Sequence, residues 1–336
     1  MVQRRANGAP PPMCCLAVLA MTVMIGAAQA QTESPDAYPS RNITMLVPFP
    51  PGGPPDVIAR VLAVPMGEAL GKTIVVENRP GASTSLASQA VARATPDGYT
   101  IMATDMSMAV VPHILAKPGF DPLKDFKHLG RTALTVLTVV VTPGLPVKTA
   151  KELVELSKAK PGEIKIAHTG IGTPPHLGAV AFIQATGANL LQVPYRGAAL
   201  AIGDVVGGHI SMLTTAPSTS IALTKDGKVR MLGVTGSKRL GALPEIPTLK
   251  EVGYNLTSLD EGIWFGMSAP AATPDAIVAK LNAAMNKATK DPKAIETLAK
   301  SDISMVGGPP EDFDKLIRSQ FVVWRDAMKA AGVIPE

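Results

Sequence analysis

The chain has few aromatic residues, little charge and almost no cysteine. Of its 336 residues, 4% are aromatic and 18% are charged, and both cysteines, Cys14 and Cys15, lie within the first 30 positions. We therefore expect neither a disulfide framework nor a thiol nucleophile in the folded body of the chain. The hydrophobic content of 46% is nevertheless ample for two domain cores, built mainly from Ala, Val, Leu, Ile and Met.

Clusters of basic residues are also absent. The formal net charge is +5, from 32 basic and 27 acidic residues, and no stretch of Lys and Arg is typical of a nucleic-acid or anionic-lipid surface. A nucleic-acid partner is therefore not expected. The mild positive balance suits a small anionic ligand, although it is also common among exported proteins.

The first 30 residues have the pattern of a secretory signal peptide. Arg4 and Arg5 form a basic start, the apolar run 14–28 is shorter than the roughly 20 residues of a membrane span, and Ala-Gln-Ala follows at 28–30. This pattern predicts export and cleavage after Ala30, which would leave a periplasmic chain with net charge +3 and no cysteine. The paired arginines leave a folded-export signal open as an alternative.

From residue 43 onward, short apolar runs alternate with segments of helical periodicity. Apolar runs bounded by turn residues are typical of buried strands, and their alternation with helices predicts an α/β protein with parallel sheets. Strands are predicted at 43–47, 73–77, 99–103, 134–141, 164–167, 190–193, 210–213 and 229–234. Helices are predicted at 54–70, 86–94, 149–159 with Thr149 as N-cap, 175–186, 198–206, 274–290, 292–300 and 310–331.

The last three predicted helices follow no complete sheet of their own. We expect them to pack on the first α/β unit, which makes that unit discontinuous in sequence. After the signal peptide at 1–30, the predicted organisation is a first lobe of residues 31–135 plus 259–336 and a second lobe of 136–258. The chain then crosses between the lobes twice, near residues 135 and 258.

Two glycine-rich loops each follow a predicted strand and precede a predicted helix. The first glycine loop, residues 48–53, leads into Pro54, which has no N–H to lose at a helix start, and Asp56 is placed to cap free amides. The second glycine loop, residues 169–173, repeats this design with the Thr173 hydroxyl as a cap. Because helix N-termini attract anions and α/β sheets bind ligands at strand carboxyl ends, we expect the loops to face each other across an anion site. Each loop alone also fits a capped tight turn.

Patterns of catalysis and metal binding are not found. Residues 67–73 approach a phosphate-binding loop, but the spacing is one residue short and the segment runs from helix to strand. No serine lies in a nucleophile elbow, and the five histidines have no metal-ligand spacing. We therefore expect no catalytic residue, no metal and no cofactor.

Four side chains near the loops have open roles. His168 and His176 flank the second glycine loop, and each fits either a ligand contact or a structural histidine. Arg196 follows the strand at 190–193 together with Tyr195. This pair fits either a carboxylate clamp or a surface turn.

Nine segments, taken in order, resemble the Bug family, the periplasmic solute-binding components of tripartite tricarboxylate transporters. The segments span essentially the whole mature chain, and their combination is more specific than any one of them. They are Tyr-Pro-Ser at 38–40, Val-Pro-Phe-Pro-Pro-Gly-Gly-Pro-Pro-Asp at 47–56, Val-Glu-Asn-Arg-Pro-Gly-Ala at 76–82, Pro-Asp-Gly-Tyr-Thr at 96–100, Val-Pro-Tyr-Arg-Gly at 193–197, Gly-Gly at 207–208, Leu-Pro-Glu-Ile-Pro-Thr at 243–248, Trp-Phe-Gly at 264–266 and Val-Gly-Gly at 306–308.

The resemblance implies a type II periplasmic-binding-protein fold, with two α/β lobes joined by a two-crossover hinge. It implies that a small carboxylate ligand is held between the glycine loops and delivered to integral membrane transporter subunits. The residues that it places in the cleft are Phe49, Gly52, Gly53, Ser83, Thr84, Thr104, Thr169, Gly170, Gly172, Thr173, His176, Tyr195, Arg196, Thr214 and Thr215.

Two departures from the family pattern bear on the ligand. Where the family generally has an aspartate after the strand at 210–213, this chain has Thr214, Thr215 and Ala216. Without that carboxylate a buried ammonium group would lack its partner, which argues against an amino acid. The segment 81–85, usually rich in glycine, carries added side chains that narrow the pocket and supply hydroxyls. We therefore expect a dicarboxylate or an aromatic carboxylate.

Two other functions are compatible with the same fold. A periplasmic sensor subunit would bind a ligand but signal to a histidine kinase. A secreted enzyme would need an acid/base pair in the cleft, for which only His168 or His176 near Arg196 are available. The main expectation is a monomeric binding protein without catalytic activity.

Overall fold

The computed structural model describes residues 1–3, 34, 37–259, 262–333 and 335. Residues 35–336 form one compact unit, and residues 1–34 form another. Nearly all of the predicted signal peptide, including its cleavage site after Ala30, lies outside the described residues. Within the described part of the chain, no helix has both the length and the apolar composition needed to cross a membrane.

Eleven strands are found among the described residues, and the sequence-based strand positions mostly agree within one or two residues. The strands are β1 (Ile43–Val47), β2 (Ile74–Asn78), β3 (Thr100–Asp105), β4 (Phe126–Thr135), β5 (Thr138–Val141), β6 (Lys165–His168), β7 (Leu191–Pro194), β8 (Met212–Thr215), β9 (Arg230–Val234), β10 (Ile263–Pro270) and β11 (Ser304–Met305).

Ten α-helices and three short 3-10 turns connect these strands in the described ranges. The helices are α1 (Pro54–Leu70), α2 (Ser85–Ala92), α3 (Ser107–Val110), α4 (Ala150–Ala159), α5 (Pro174–Thr186), α6 (Ala198–Val206), α7 (Pro217–Lys225), α8 (Asp275–Ala288), α9 (Pro292–Ala299) and α10 (Pro310–Ala330). The 3-10 turns are Ala82–Thr84, Val111–His113 and Thr257–Leu259. The predicted cap of α4 is confirmed, because the Thr149 hydroxyl accepts a hydrogen bond from the Glu152 amide at 3.2 Å.

The strands form two mixed sheets. The first has the order β11-β4-β10-β3-β1-β2 and the second has the order β7-β6-β8-β5-β9. β1 runs parallel to β2 and β3, and β6 runs parallel to β7 and β8, whereas β10 and β5 are antiparallel to their neighbours. The expected parallel pairing is confirmed within β1–β3 and within β6–β8, and the antiparallel strands β10 and β5 make both sheets mixed.

The predicted single strand at 134–141 is also wrong. β4 ends at Thr135 in the first sheet, and β5 begins at Thr138 in the second sheet. Residues 134–141 are mostly buried and contain no glycine, proline or charged residue, so the periodicity of the segment does not show the break. The chain passes from one sheet to the other within these few residues.

The three C-terminal helices pack against elements of the first sheet. α8 lies against α1, α9 lies against β11 and α1, and α10 covers β4 and α3. The Phe313 ring on α10 meets the Trp264 ring of β10 edge to face, with 5.3 Å between their centroids. The lobe boundaries of 31–135 plus 259–336 and 136–258 stay a prediction.

Candidate ligand-binding cleft

A buried carboxylate organises the first glycine loop. Asp56 is only 3% exposed, and its Oδ2 accepts a hydrogen bond from the Gly52 amide at 2.9 Å. Its Oδ1 accepts from Arg60 Nε at 3.0 Å and from Asn78 Nδ2 at 2.8 Å. Asn78 Nδ2 also donates to the Phe49 carbonyl oxygen at 3.0 Å. Hydrogen bonds therefore hold the start of the loop to β2 and its end to α1.

The role expected for Asp56 needs correction. The N-cap of α1 is Gly53, and no side chain caps this helix. Asp56 instead turns back to the Gly52 amide, which places its own negative charge beside the helix N-terminus. The protein thus uses part of this anion-attracting potential itself.

The charge on Asp56 stabilises the fold above acidic pH. Burial alone would raise the pKa of Asp56, but hydrogen bonds from Arg60, Gly52 and Asn78 outweigh it and lower the pKa below 3.8. A depressed folded pKa contributes stability above the unfolded value, and this contribution is lost as the pH falls through the folded pKa.

We therefore expect Asp56→Asn to lower the free energy of unfolding by about 2 kcal/mol at neutral pH, because an amide oxygen receives weaker hydrogen bonds from Arg60. The difference from wild type should shrink as the pH falls below 3.8. Urea denaturation at neutral and at acidic pH measures both values. Asp326→Asn, which removes an exposed ion pair with Arg325, is the control. A difference that does not change with pH would contradict this role.

The second glycine loop is closed by its own side chains. The Thr173 hydroxyl donates to the Gly170 carbonyl oxygen at 2.7 Å and lies 3.1 Å from the Thr169 hydroxyl. Thr173 is the N-cap residue of α5, but its side chain makes no capping hydrogen bond, so the expected hydroxyl cap is wrong. The Gly172 amide donates to His176 Nδ1 at 3.1 Å.

The two loops share one hydrogen-bond pattern. In each, a glycine amide donates to a side chain four residues further on, from Gly52 to Asp56 and from Gly172 to His176. One acceptor is an ionised carboxylate and the other is an imidazole. Both glycine amides are thus engaged within the protein, so neither is free for a ligand in this arrangement.

The histidines beside the second loop are uncharged. The rings of His168 and His176 lie 4.5 Å apart between centroids, and both are buried. Burial lowers the pKa of His168 to about 4 and that of His176 to about 3. At neutral pH both rings are therefore uncharged, and neither supplies positive charge to an anion.

Side chains from the two sheets meet at these loops. The Ser83 hydroxyl donates to the Ile171 carbonyl oxygen at 3.2 Å. Gly172 lies against Ile114, so close that a Cβ added to it would be 2.3 Å from Ile114 Cδ1. The structure therefore brings Ser83 and the second glycine loop together, as expected for opposite walls of one cleft.

The segment that carries Ser83 is strained. Ala82, Ser83 and Thr84 have φ values of 45°, 49° and 79° in succession. The left-handed region costs an L-residue roughly 1–2 kcal/mol, and such strain clusters at ligand sites. The placement of Ser83 and Thr84 in the cleft stays a prediction.

Three predicted residues are engaged by partners inside the protein. The Thr104 hydroxyl is buried beside Met108 Sδ at 3.5 Å. The Tyr195 hydroxyl donates to Asp204 Oδ2 at 2.6 Å, and partial burial and this carboxylate raise the pKa of Tyr195 to about 12. The Thr214 hydroxyl donates to the Pro175 carbonyl oxygen at 2.6 Å.

Two predicted residues differ sharply in exposure. Thr215 is buried, and its carbonyl oxygen accepts from the Thr138 hydroxyl at 3.0 Å. Arg196 is exposed, and it forms no hydrogen bond or ion pair with the rest of the described chain. Since His176 is neutral, Arg196 is the cationic side chain of the predicted set.

The sequence-based prediction passes over Asp105, which follows Thr104 at the carboxyl end of β3. Its carboxyl group is buried, and one oxygen has no hydrogen-bond partner among the described residues. A carboxylate directly after an apolar strand was the available signal.

A surface cavity lies elsewhere on the first sheet. It measures about 530 Å³ and is lined by residues at the amino ends of β1 and β2 and at the end of α1, including Asn42, Gly67, Lys72 and Thr73. Ligands of α/β sheets bind at the opposite, carboxyl ends of strands. This cavity is therefore not the expected ligand site.

The chain matches a described protein family over most of its length. Residues 58–333 match the family described as tripartite tricarboxylate transporter family receptor. BugT from Bordetella pertussis is 31% identical over 305 residues, which cover 90% of this chain and 93% of BugT.

Solved structures extend the similarity to the fold. The periplasmic binding protein BugD is 35% identical, with a TM-score of 0.79 over 89% of this chain and 100% of BugD. Rpa4515 of R. palustris, solved with adipate, is 29% identical, with a TM-score of 0.81 over 89% of this chain and 100% of that chain. MatC from Rhodopseudomonas palustris, solved with malate, is 27% identical, with a TM-score of 0.78 over 86% and 99%. The chain therefore has the two-lobed α/β fold of periplasmic binding proteins and belongs to the Bug family of tripartite tricarboxylate transporter receptors.

Proposed function

We propose that this protein captures a small dicarboxylate or aromatic carboxylate between its lobes and delivers it to the membrane subunits of a tripartite transporter. The observation that carries the proposal is the match over nearly the whole chain to two relatives that hold adipate and malate. Both of those ligands are dicarboxylates. The family to which the chain belongs supports a transporter as the recipient.

Closure of the lobes is the proposed mechanism. The chain passes between the sheets after β4 and again before β10, and these two connections act as the hinge. The contacts of Ser83 with Ile171 and of Gly172 with Ile114 are those of the closed form. A ligand that binds one lobe first then gains donors from the other as water leaves, which shifts the population towards closure.

Few groups of the proposed site are available to bind the negative charge of the ligand. The amides of Gly52 and Gly172 are engaged by Asp56 and His176 in this arrangement. The remaining donors of the proposed site are hydroxyl groups, free loop amides and the guanidinium of Arg196. The protein is proposed to bind its ligand without catalysis and to act as a periplasmic monomer after removal of residues 1–30.

A thermal-shift screen of residues 31–336 tests this function. We expect adipate, malate or an aromatic acid at about 100 times its Kd to stabilise the protein by about 2.7 kcal/mol, which raises Tm by roughly 5 to 10 °C. Aspartate should give a smaller shift, because the proposed site offers its ammonium group no dedicated partner.

Matched variants localise the effect. Arg196→Met retains the length of the side chain but loses the charge, and it should reduce the shift, whereas Arg325→Met on α10 should not. Folded, ligand-free protein that responds to no acid would refute carboxylate binding. A shift that both variants retain would remove Arg196 from the site.

A further inference from the structure

Asp105 lies where a ligand of the first sheet would bind. It is the last residue of β3, whose neighbours are β1 and β10. Leu46 of β1 pairs with Met102, so the first glycine loop leaves the sheet beside the end of β3. On the other side, Phe265 of β10 pairs with Asp105 itself. Asp105 is thus at the carboxyl edge of the sheet, under the proposed cleft.

Only one of the two carboxyl oxygens of Asp105 has a hydrogen-bond partner among the described residues. Asp105 is 2% exposed. Its Oδ1 accepts a hydrogen bond from the Ser107 amide at 2.9 Å, but its buried Oδ2 has no partner among the described residues. The hydroxyl of Ser85, at the start of α2, is also buried and also has no hydrogen-bond partner among the described residues. A buried polar group without a partner costs about 1–3 kcal/mol, and more when it is charged, so the arrangement favours an external partner.

The elements around β3 supply no counter-charge. Five elements pack against it, and four of them, namely β1, β10, α2 and α3, carry no charged side chain. The fifth, α1, carries Asp56, Arg60 and Glu68. Asp56 and Arg60 are paired with each other at 3.0 Å. The described elements that pack against β3 therefore offer no unpaired cation that would keep Asp105 ionised.

We propose that Asp105 meets the ligand as a protonated carboxylic acid, so that a carboxylate is captured together with one proton. The O–H group of Asp105 donates to a ligand carboxylate oxygen, and no covalent bond changes. This inference rests on the proposed carboxylate function and deepens it by assigning a donor that also limits binding at high pH.

The titration of Asp105 supports this assignment. Burial raises the pKa of Asp105 to about 7, against the opposing effect of Ser107, whose amide donates to Oδ1. A ligand anion beside the carboxyl group raises its pKa further. The group is thus partly protonated in the free protein near neutral pH and takes up the missing fraction of a proton on binding.

Calorimetric titration of wild type with adipate and with malate provides the test. Both acids are doubly ionised above neutral pH, so their own titration does not contribute. We expect the Kd to be constant below the Asp105 pKa of about 7 and to rise about tenfold per pH unit above it. Titrations at one pH in buffers of different ionisation enthalpy should show uptake of up to one proton per ligand.

The variant Asp105→Asn keeps a hydrogen-bond donor at this position but removes the titrating proton. Its amide group donates a hydrogen bond at every pH, so we expect binding within about threefold of wild type below neutral pH. Above neutral pH its Kd should stay constant, with no proton uptake. Asp226→Asn, an exposed residue that follows α7, should keep the wild-type pH profile.

The outcomes separate two failures. If wild type binds neither probe and the thermal screen finds no acid, the proposed function fails. If wild type binds a probe with a Kd independent of pH and without proton uptake, only the role of Asp105 is refuted. It is also refuted if folded Asp105→Asn loses binding while wild type prefers aspartate, because Asp105 would then be an ionised acceptor for an ammonium group.

Discussion

Replacement of Gly172 by valine is expected to weaken carboxylate binding by about thirtyfold or more while the protein remains folded. Gly172 has a φ of +79°, and a Cβ at this position would lie 2.3 Å from Ile114 Cδ1. Ile114 directly follows the 3-10 turn Val111–His113 and is 3% exposed, so it has little space in which to move. Overpacking of this kind costs about 2 kcal/mol, and it opposes the closed form, so the cost appears as lost affinity. Calorimetric titration with a carboxylate that binds wild type measures the effect.

Two variants distinguish overlap from backbone strain. Gly227 has a φ of +70° with no atom near its added Cβ, so Gly227→Val carries only the strain and should bind normally. Adding Ile114→Ala to Gly172→Val removes the overlapping methyl group and should restore most of the affinity. Gly52, with a φ of +88° and open space around its Cβ position, should tolerate substitution better than Gly172. Wild-type affinity in Gly172→Val would refute the closed contact.

The fold was predictable wherever the signals are local. The bounds of α1 follow from Pro54 after the glycines and from Gly71 at its end, where φ is 70°. The N-cap of α4 at Thr149 likewise depends on neighbouring residues alone. These signals lie within a few residues of each helix end, so one sequence is sufficient to read them.

Elements defined by distant partners were missed. β10 is buried at all eight positions, so it has no alternation, and its place between β3 and β4 depends on residues more than 120 positions away. The division between β4 and β5 depends on which sheet accepts each strand. Periodicity within a segment contains no information about either choice.

In the proposed cleft, too, local features were predictable and contacts between distant residues were not. Its glycine loops were evident from the sequence. The acceptors Asp56 and His176 each lie four residues after a glycine, and this spacing is also visible in the sequence. The tie from Asn78 to Asp56 and that from Tyr195 to Asp204 depend on how side chains fold back across a strand or helix. The missing partner of Asp105 Oδ2 is visible only when every neighbour is in place.

Replacement of Gly266 by alanine is expected to destabilise the first lobe strongly. Gly266 lies in the middle of β10, where an added Cβ would be 2.2 Å from Phe313 Cζ and 2.7 Å from the Gly130 carbonyl oxygen. The first atom belongs to a buried ring and the second to the backbone of β4, so neither moves freely. We expect a loss of about 3 kcal/mol or more and a fall in Tm of roughly 10 °C, measured by calorimetry.

Gly241→Ala is the matched control, because Gly241 has open space around its Cβ position; it should change Tm by no more than a few degrees. Phe313→Leu shortens the ring that Gly266→Ala would meet, so the double variant should lose less stability than the sum of the single variants. Full recovery is not expected, since the Gly130 oxygen remains. Simple additivity would show that Gly266 and Phe313 do not touch. Coupling between them would instead tie α10 to the core of the first sheet, as the proposed discontinuous first lobe requires.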